Sequence, residues 1–354
     1  MLAFFISPHG YGHAARACAV MEALLQRRPQ TRFRIFTTVP PAFFAASLPA
    51  GTFTYHRLKS DVGLVQKSPL EEDVPATRRA LARLYPPSPA RLDALAKSLR
   101  GCEAVLCDIS PLGIAAAHRA GLPAILVENF TWDWIYRHYG NPSPLTDYAQ
   151  ILEPIFGQAE VHIQTRPLCA PHPAADATLP PIARRPQKSR RETRLALGVP
   201  AEAPLLLLSL GERLPAAPVR ELLRRYPRLH VLLPGGERLP PAPRLYTPPR
   251  ERCYHPNLVA AADFILAKAG YSTVAEAYRA GLPFAYLSRP KFPESRVLAE
   301  FIETHLGGFT IPAEDWAAHT WPRLLGDLLA MPRREPQFPN GAEGAAEVIE
   351  RVVG

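Results

Sequence analysis

Short apolar runs alternate with segments of helical period along this chain, stop, and then start again. That alternation leaves little choice of fold, because parallel strands cannot be joined by tight turns and need crossover helices. The first half offers apolar runs at residues 2–6, 32–36, 53–56, 104–107, 124–127 and 161–164. A helix is predicted over 14–26, where Ala17, Val20, Met21, Leu24 and Leu25 recur on one face. Residues 71–99 read as helical, with a break at YPPSP. Between 167 and 203 the periodicity fades and Pro and Arg dominate, which marks an interdomain linker. The pattern resumes with runs at 204–211, 230–236, 263–270 and 283–288, and closes on a helix over 342–353. The expected fold is α/β, with two Rossmann-like doubly wound domains, 1–166 and 204–335, facing across a cleft. The last segment, 336–354, is expected to pack back toward the first domain.

Ligands in such sheets bind outside the carboxyl ends of the strands, so function is sought in the loops that follow them. The first loop is PHGYGHAAR. Glycine alone supplies a tight turn, yet His9 and His13 flank Gly10 and Gly12, glycines that let the backbone come close to a ligand. His13 falls at the start of the helix, where the positive dipole end favours a neutral imidazole able to act as general base. Arg16 opposes that dipole, and an anionic ligand nearby would account for it. Asp108 ends a strand, where an orienting carboxylate would lie. In NFTWDWIY, Asn129, Trp132, Asp133 and Trp134 form a polar and aromatic cluster. Trp132 and Trp134 cannot share one helix face, so at least one is expected at a cleft or interface.

In the second half, LAKAGYSTVAEA follows an apolar run and opens a helix. Gly270, Ser272 and Thr273 at that start form an anion site suited to a diphosphate, and Lys268 adds charge. Thr273 and Glu276 also read as a capping box that needs no ligand. Alternatively, Glu276 accepts hydrogen bonds from a ribose. Arg289 and Glu294 follow the next run. Arg289 can face phosphate; Glu294 can accept from sugar hydroxyls or simply favour a helix start.

The formal charge is +9, much of it in RRPQKSRRETR at 184–194. That stretch reads either as a solvated linker or as a patch for acidic lipid. No zinc finger, RNP-type motif or helix-turn-helix signal is present, so nucleic acid is not an expected partner. The five cysteines show no CxxC pair, which argues against a disulfide framework and a zinc site. No apolar run approaches a membrane span. MLAFFIS lacks a basic n-region and reads as a strand, not a signal peptide. A cytoplasmic protein is expected, with peripheral contact at the inner membrane face through the basic stretch.

Together, PHGYGHAAR and HPNLVAAADFILAKAGYSTVAEAYRAGLPFAYLSRPKFPE resemble the GT-B glycosyltransferase superfamily of the UDP-glycosyltransferase and MurG type. With NFTWDWIY, they are also similar to the glycosyltransferase-like domain fused ahead of the kinase in L-arabinokinases and its stand-alone bacterial relatives. The resemblance implies an acceptor domain over 1–166 and a nucleotide-sugar donor domain over 204–335. It makes His13 the base toward the acceptor; Asp108 is read as aiding it, and Gly10, Gly12 and Arg16 as binding the ligand. It places Gly270, Ser272 and Thr273 on the diphosphate, Glu276 on the ribose, and His255 and Glu294 near the donor; Gly211, Lys268 and Arg289 are read as binding the donor beside them. One departure is that the first strand of the second half ends SLGERLP, without the extra glycines many relatives carry. No cofactor and no metal are implied; a nucleotide sugar, with a UDP-sugar as first candidate, is the substrate. A kinase activity is not implied. Glycosyl transfer is the expected activity, with nucleotide-sugar hydrolysis or binding without turnover as alternatives. The sequence names no acceptor and no oligomeric state.

Overall fold

The computed structural model describes residues 1–68, 71–210 and 214–354. From the N terminus run β1 (Leu2–Ile6), α1 (Gly12–Arg27), β2 (Phe33–Thr37), α2 (Pro41–Ala45), β3 (Phe53–Arg57), β4 (Gln66–Ser68), β5 (Glu71–Glu72), α3 (Val74–Ala82), α4 (Pro89–Ser98), β6 (Ala104–Asp108), α5 (Pro111–Ala120), β7 (Ala124–Glu128), α6 (Trp132–His138), α7 (Thr146–Phe156), β8 (Val161–Thr165) and β9 (Ala177–Leu179). There follow α8 (Arg190–Leu197), β10 (Leu205–Ser209), α9 (Ala216–Arg225), β11 (His230–Leu232), β12 (Leu245–Tyr246), α10 (His255–Ala261), β13 (Phe264–Lys268), α11 (Tyr271–Ala280), β14 (Phe284–Leu287), α12 (Glu294–Phe301), β15 (Gly308–Thr310), α13 (Ala313–Ala317), α14 (Leu325–Ala330) and α15 (Gly341–Val353).

These elements form two compact units. Unit 1 is Met1–Arg184, Lys291–Val297 and Phe338–Gly354; unit 2 is Arg185–Pro290 and Leu298–Gln337. The sheet of unit 1 is parallel, in the order β3-β2-β1-β6-β7-β8-β9. That of unit 2 is also parallel, in the order β12-β11-β10-β13-β14-β15. Strand order reverses between β1 and β6 in the first sheet and between β10 and β13 in the second. The carboxyl ends at these two switch points are where such sheets bind ligands.

Every residue of β1, β6 and β7 is buried, as expected of strands covered on both faces. Their side chains alternate between two cores. Ala3, Phe5, Val105 and Cys107 join one; Leu2, Phe4, Ile6, Ala104 and Leu106 join the other. The second core is closed by α15, which contributes Ala342, Ala345, Ala346, Val348 and Ile349. Arg27 of α1 ties the helix down through Glu347 and Glu350. The C-terminal helix is thus part of unit 1.

The stretch read as a linker, 167–203, contains the seventh strand, β9, and the helix α8, which opens on a capping box between Ser189 and Glu192. Of its basic residues, Arg184 and Arg194 are buried and Arg190 half-buried, while Arg185, Lys188 and Arg191 are exposed. The Arg184 guanidinium lies 4.9 Å over the Phe43 ring, and Arg190 and Arg194 hold Asp263 at 2.6 and 2.7 Å. Arg194 also donates to the carbonyls of Ala261, Pro200, Ala201 and Ala203. Composition counts these three cations but not the ring, carboxylate and carbonyls that receive them. Among the described residues no helix is long and apolar enough to cross a membrane.

Candidate functional site

At the switch point of unit 1 the loop after β1 and the end of β6 meet. Gly10 has φ +76 with open space beside it, so its turn is the reason for glycine. Tyr11 is the N-cap and Gly12 the first residue of α1, which puts His13 in the first turn, and its Nδ1 lies 2.8 Å from Asp108 Oδ1. Directly after Asp108 the chain turns at Ile109 with φ +45, a left-handed conformation rare for a β-branched residue and costly by about 1–3 kcal/mol. The strain is held in the core: Ile109 is wholly buried.

Arg16 follows on the same helix face as His13. Its Nε donates to Asp108 Oδ2 at 2.8 Å, its Nη2 to Oδ1 at 2.7 Å, and its Nη1 to Asn129 Oδ1 at 2.7 Å. Asn129 Nδ2 in turn donates to Glu294 Oε1 at 2.7 Å. Arg16 is 1% exposed and braces the carboxylate. Burial alone would raise the Asp108 acid, but the Arg16 charge and the hydrogen bonds from Arg16 and His13 outweigh it and hold the group below its ordinary range. With Asp108 ionised, the hydrogen of a neutral His13 sits on Nδ1, and Nε2 carries the lone pair. Such an imidazole can accept a proton from a hydroxyl at Nε2.

Glu294 opens α12 and lies in unit 1, buried and bonded to Asn129. Asn129 was visible only as part of a polar and aromatic cluster; its bridging role comes from the fold. Trp132 is wholly buried, and Trp134 half-buried beside His138 at 4.7 Å between ring centres.

His9 packs in an aromatic box, edge-on to Trp132 at 5.2 Å and stacked on Phe292 at 6.1 Å. Its floor is Gly63, φ +61, where a Cβ would lie 2.8 Å from the His9 ring. Gly63→Ala therefore meets both a left-handed backbone and a filled space. A loss of about 1–3 kcal/mol is expected, read from the denaturant midpoint of unit 1, and an unchanged midpoint would contradict this packing. Beneath the same loop lies Asp61, wholly buried. It accepts from the Val62 N–H at 2.7 Å, and Ser7 and Trp132 face its carboxyl. Among the described residues no cation pairs with it. Sequence reading passed over Asp61 because nothing local separates it from a surface aspartate.

At the switch point of unit 2, α11 begins at Tyr271 with Gly270 as N-cap and no side-chain cap. The expected capping box between Thr273 and Glu276 does not form. Instead, Glu276 Oε2 lies 2.6 Å from His255 Nδ1, and His255 Nε2 lies 2.9 Å from the hydroxyl of Ser209 at the end of β10. Gly270 has an extended backbone that any residue adopts, and a Cβ there would meet only the Lys268 carbonyl at 4.0 Å. What glycine provides is room over the helix start. Ser272 and Thr273 stand half-exposed in the first turn, Lys268 closes β13, and Arg289 follows β14, buried. Gly211 lies outside the described residues. Among the described residues no group of three or more His, Cys, Asp or Glu is placed to hold a metal ion.

This is the fold of the GT-B glycosyltransferases, with two Rossmann-like domains. The chain superposes on Arabidopsis thaliana UGT89C1 complexed with UDP with a TM-score of 0.65 at 12% identity, covering 100% of this chain and 99% of that one. For a UDP-glucosyltransferase from Polygonum tinctorium capable of glucosylating indoxyl the TM-score is 0.61 at 16% identity, covering 99% and 93%. In sequence the chain is similar to L-arabinokinase of Arabidopsis thaliana, 26% identical over 358 residues. That match takes in 99% of this chain and 34% of that protein, so the chain spans about a third of the relative's length. No family model matches the chain.

Proposed function

We propose that this chain is a glycosyltransferase that uses a nucleoside-diphosphate sugar, with a UDP-sugar as donor, and needs neither metal nor cofactor. The observation that carries the reading is the 2.8 Å bond between His13 Nδ1 and Asp108 at the unit 1 switch point, which leaves Nε2 to work as a base. His13 Nε2 takes the proton of an acceptor hydroxyl. The acceptor oxygen forms its bond to the anomeric carbon, and the bond from that carbon to the diphosphate breaks. The leaving diphosphate gathers negative charge, which the uncapped start of α11, with Gly270, Ser272, Thr273 and Lys268, is suited to hold. Glu276 accepts from the ribose. The UDP named for one solved neighbour and the UDP-glucosyl transfer named for another support the choice of donor.

A thermal-shift panel tests this: UDP, GDP, TDP, ADP and their common sugars, on the wild-type chain and on Glu276→Ala. A ligand at a hundredfold its dissociation constant stabilises the native state by about 2.7 kcal/mol. We expect the uridine compounds to raise the melting temperature of the wild type and to lose that effect in Glu276→Ala. No shift with any compound would overturn the reading. Rapid donor breakdown without added acceptor would identify water as the acceptor.

A further inference from the structure

The sheet of unit 2 has a second edge, opposite the carboxyl ends where α11 begins. Pro204 and Asp263 stand directly ahead of β10 and β13 and mark it. A five-residue strand separates the two edges by about 17 Å. A cavity of about 280 Å³ opens at this amino edge, its lining including Arg190, Glu202, Asp263, Phe264, Met331 and Arg333, all of unit 2. Ordinary small-molecule sites begin at about 300 Å³, so the space suits a small metabolite.

Three guanidinium groups converge here on one aspartate. Asp263 is already engaged: it accepts from Arg190 at 2.6 Å, from Arg194 at 2.7 Å and from the Leu205 N–H at 2.9 Å. Arg194 is 2% exposed and spends its remaining nitrogens on backbone carbonyls. Arg190 gives Nη1 to the carbonyls of Ala261 and Ala262. These two arginines already fasten α8 to the sheet. Arg333 arrives from the chain after α14 and adds a third like charge. Its Nη2 donates to the Ala262 carbonyl, while its Nε stands 4.0 Å from Asp263 Oδ1, beyond hydrogen-bond reach. Among the described residues, Arg190 Nε and Arg333 Nε and Nη1 make no hydrogen bond within the protein. Both side chains are partly open to solvent, at 35% and 42%.

With Glu202, three cations meet two carboxylates, and the cavity keeps an excess of positive charge. Burial pushes the Arg333 guanidinium down, and the charges of Arg190 and Arg194 push the same way against Asp263. An arginine does not release its proton in a protein, so an anion is what relieves the crowding. Phe264 and Met331, both half-buried, supply an apolar wall beside the charge.

We propose that this cavity binds a small organic phosphate monoester, at a site separate from the proposed donor site and on the opposite edge of the same sheet. Its phosphate sits on Arg190 and Arg333, whose three spare nitrogens match three terminal oxygens. Its carbon part rests on Phe264 and Met331. A carboxylate would bring two oxygens and one charge, whereas a phosphate monoester brings three and about −1.5 to −2. The inference goes beyond the glycosyl-transfer reading and does not depend on it.

The test is calorimetry on the full chain with phenyl phosphate, inorganic phosphate, benzoate and phenol. We expect phenyl phosphate to bind, inorganic phosphate and benzoate to bind roughly three- to tenfold more weakly, and phenol to give no binding heat. Arg333→Gln should weaken phenyl phosphate roughly tenfold or more, because charge-assisted bonds are lost. A second readout needs no variant: phenylglyoxal, which modifies accessible guanidinium groups, followed by peptide mass mapping. Phenyl phosphate should protect Arg333 and leave Arg224, exposed on α9, unprotected. No binding of phenyl phosphate, or wild-type affinity in Arg333→Gln, overturns the site. Benzoate binding as tightly as phenyl phosphate overturns the phosphate assignment, and inorganic phosphate doing so overturns the organic part. None of these results touches UDP-sugar binding, which the thermal-shift panel reads separately.

Discussion

Glycosyl transfer by His13→Ala is expected to fall by about 10²–10⁴-fold, while the melting shift produced by UDP persists. The proposed base is removed, while Gly270, Ser272, Thr273, Lys268 and Glu276, proposed to hold the donor, lie in unit 2. Asp108→Asn should lose a similar factor with His13 intact. An asparagine can present its amide N–H to Nδ1, which stabilises the tautomer with its hydrogen on Nε2, where no proton can be accepted. Kinetics with saturating donor separate the two defects from lost binding: kcat falls and the donor KM stays. If His13→Ala turned over at the wild-type rate, the base would have to be sought elsewhere.

The same carboxylate bears on stability. Asp108→Ala leaves the Arg16 guanidinium, 1% exposed, without its anion, and breaking a buried pair from one side costs about 3–5 kcal/mol. Because the Asp108 acid is held below its ordinary range, its contribution is fully present above about pH 4 and is lost as pH falls through the lower folded value. The wild type should therefore lose stability in acid more steeply than Asp108→Asn.

How far the sequence carried the argument can be followed through these residues. His13, Asp108 and Glu276 stood out because each follows an apolar run, and the ligand edge of a doubly wound sheet is defined by that position. The two sheets were legible for the same reason, while their strand orders came from the structure. Partnership was not. Arg16 reads as a cation opposing a helix dipole until Asp108, 92 residues away, is seen to receive it. Glu294 reads as a donor-sugar acid or a helix start, and its bond from Asn129, 165 residues away, is invisible in the sequence. Within 167–203 the strand β9 was not legible, because three residues are too few to show a period. Ser209 gave no signal, since a serine at the end of an apolar strand is ordinary until a histidine is found against it.

Asp61→Asn is expected to do the reverse of Asp108→Asn, and to stabilise the protein. Both acids are buried in unit 1, but among the described residues no cation pairs with Asp61. Burial pushes it up to about 7, against the smaller opposing effects of the Val62 N–H, Ser7, Trp132 and the Gly63 N–H. Between roughly pH 4 and pH 7 the folded chain keeps a proton there that the unfolded chain has released. Stability therefore falls as pH rises through that window, and above it the buried carboxylate costs about 4 kcal/mol. Asparagine mimics the protonated acid and can still accept from Val62. The gain in the unit 1 melting transition should be near zero at about pH 4 and reach roughly 2–4 kcal/mol at about pH 8. A gain independent of pH, or a loss at the higher pH, would mean that Asp61 is ionised and satisfied by partners stronger than those seen. The opposite signs of the two asparagine variants follow from one difference: Arg16 stands beside Asp108, and among the described residues no cation stands beside Asp61.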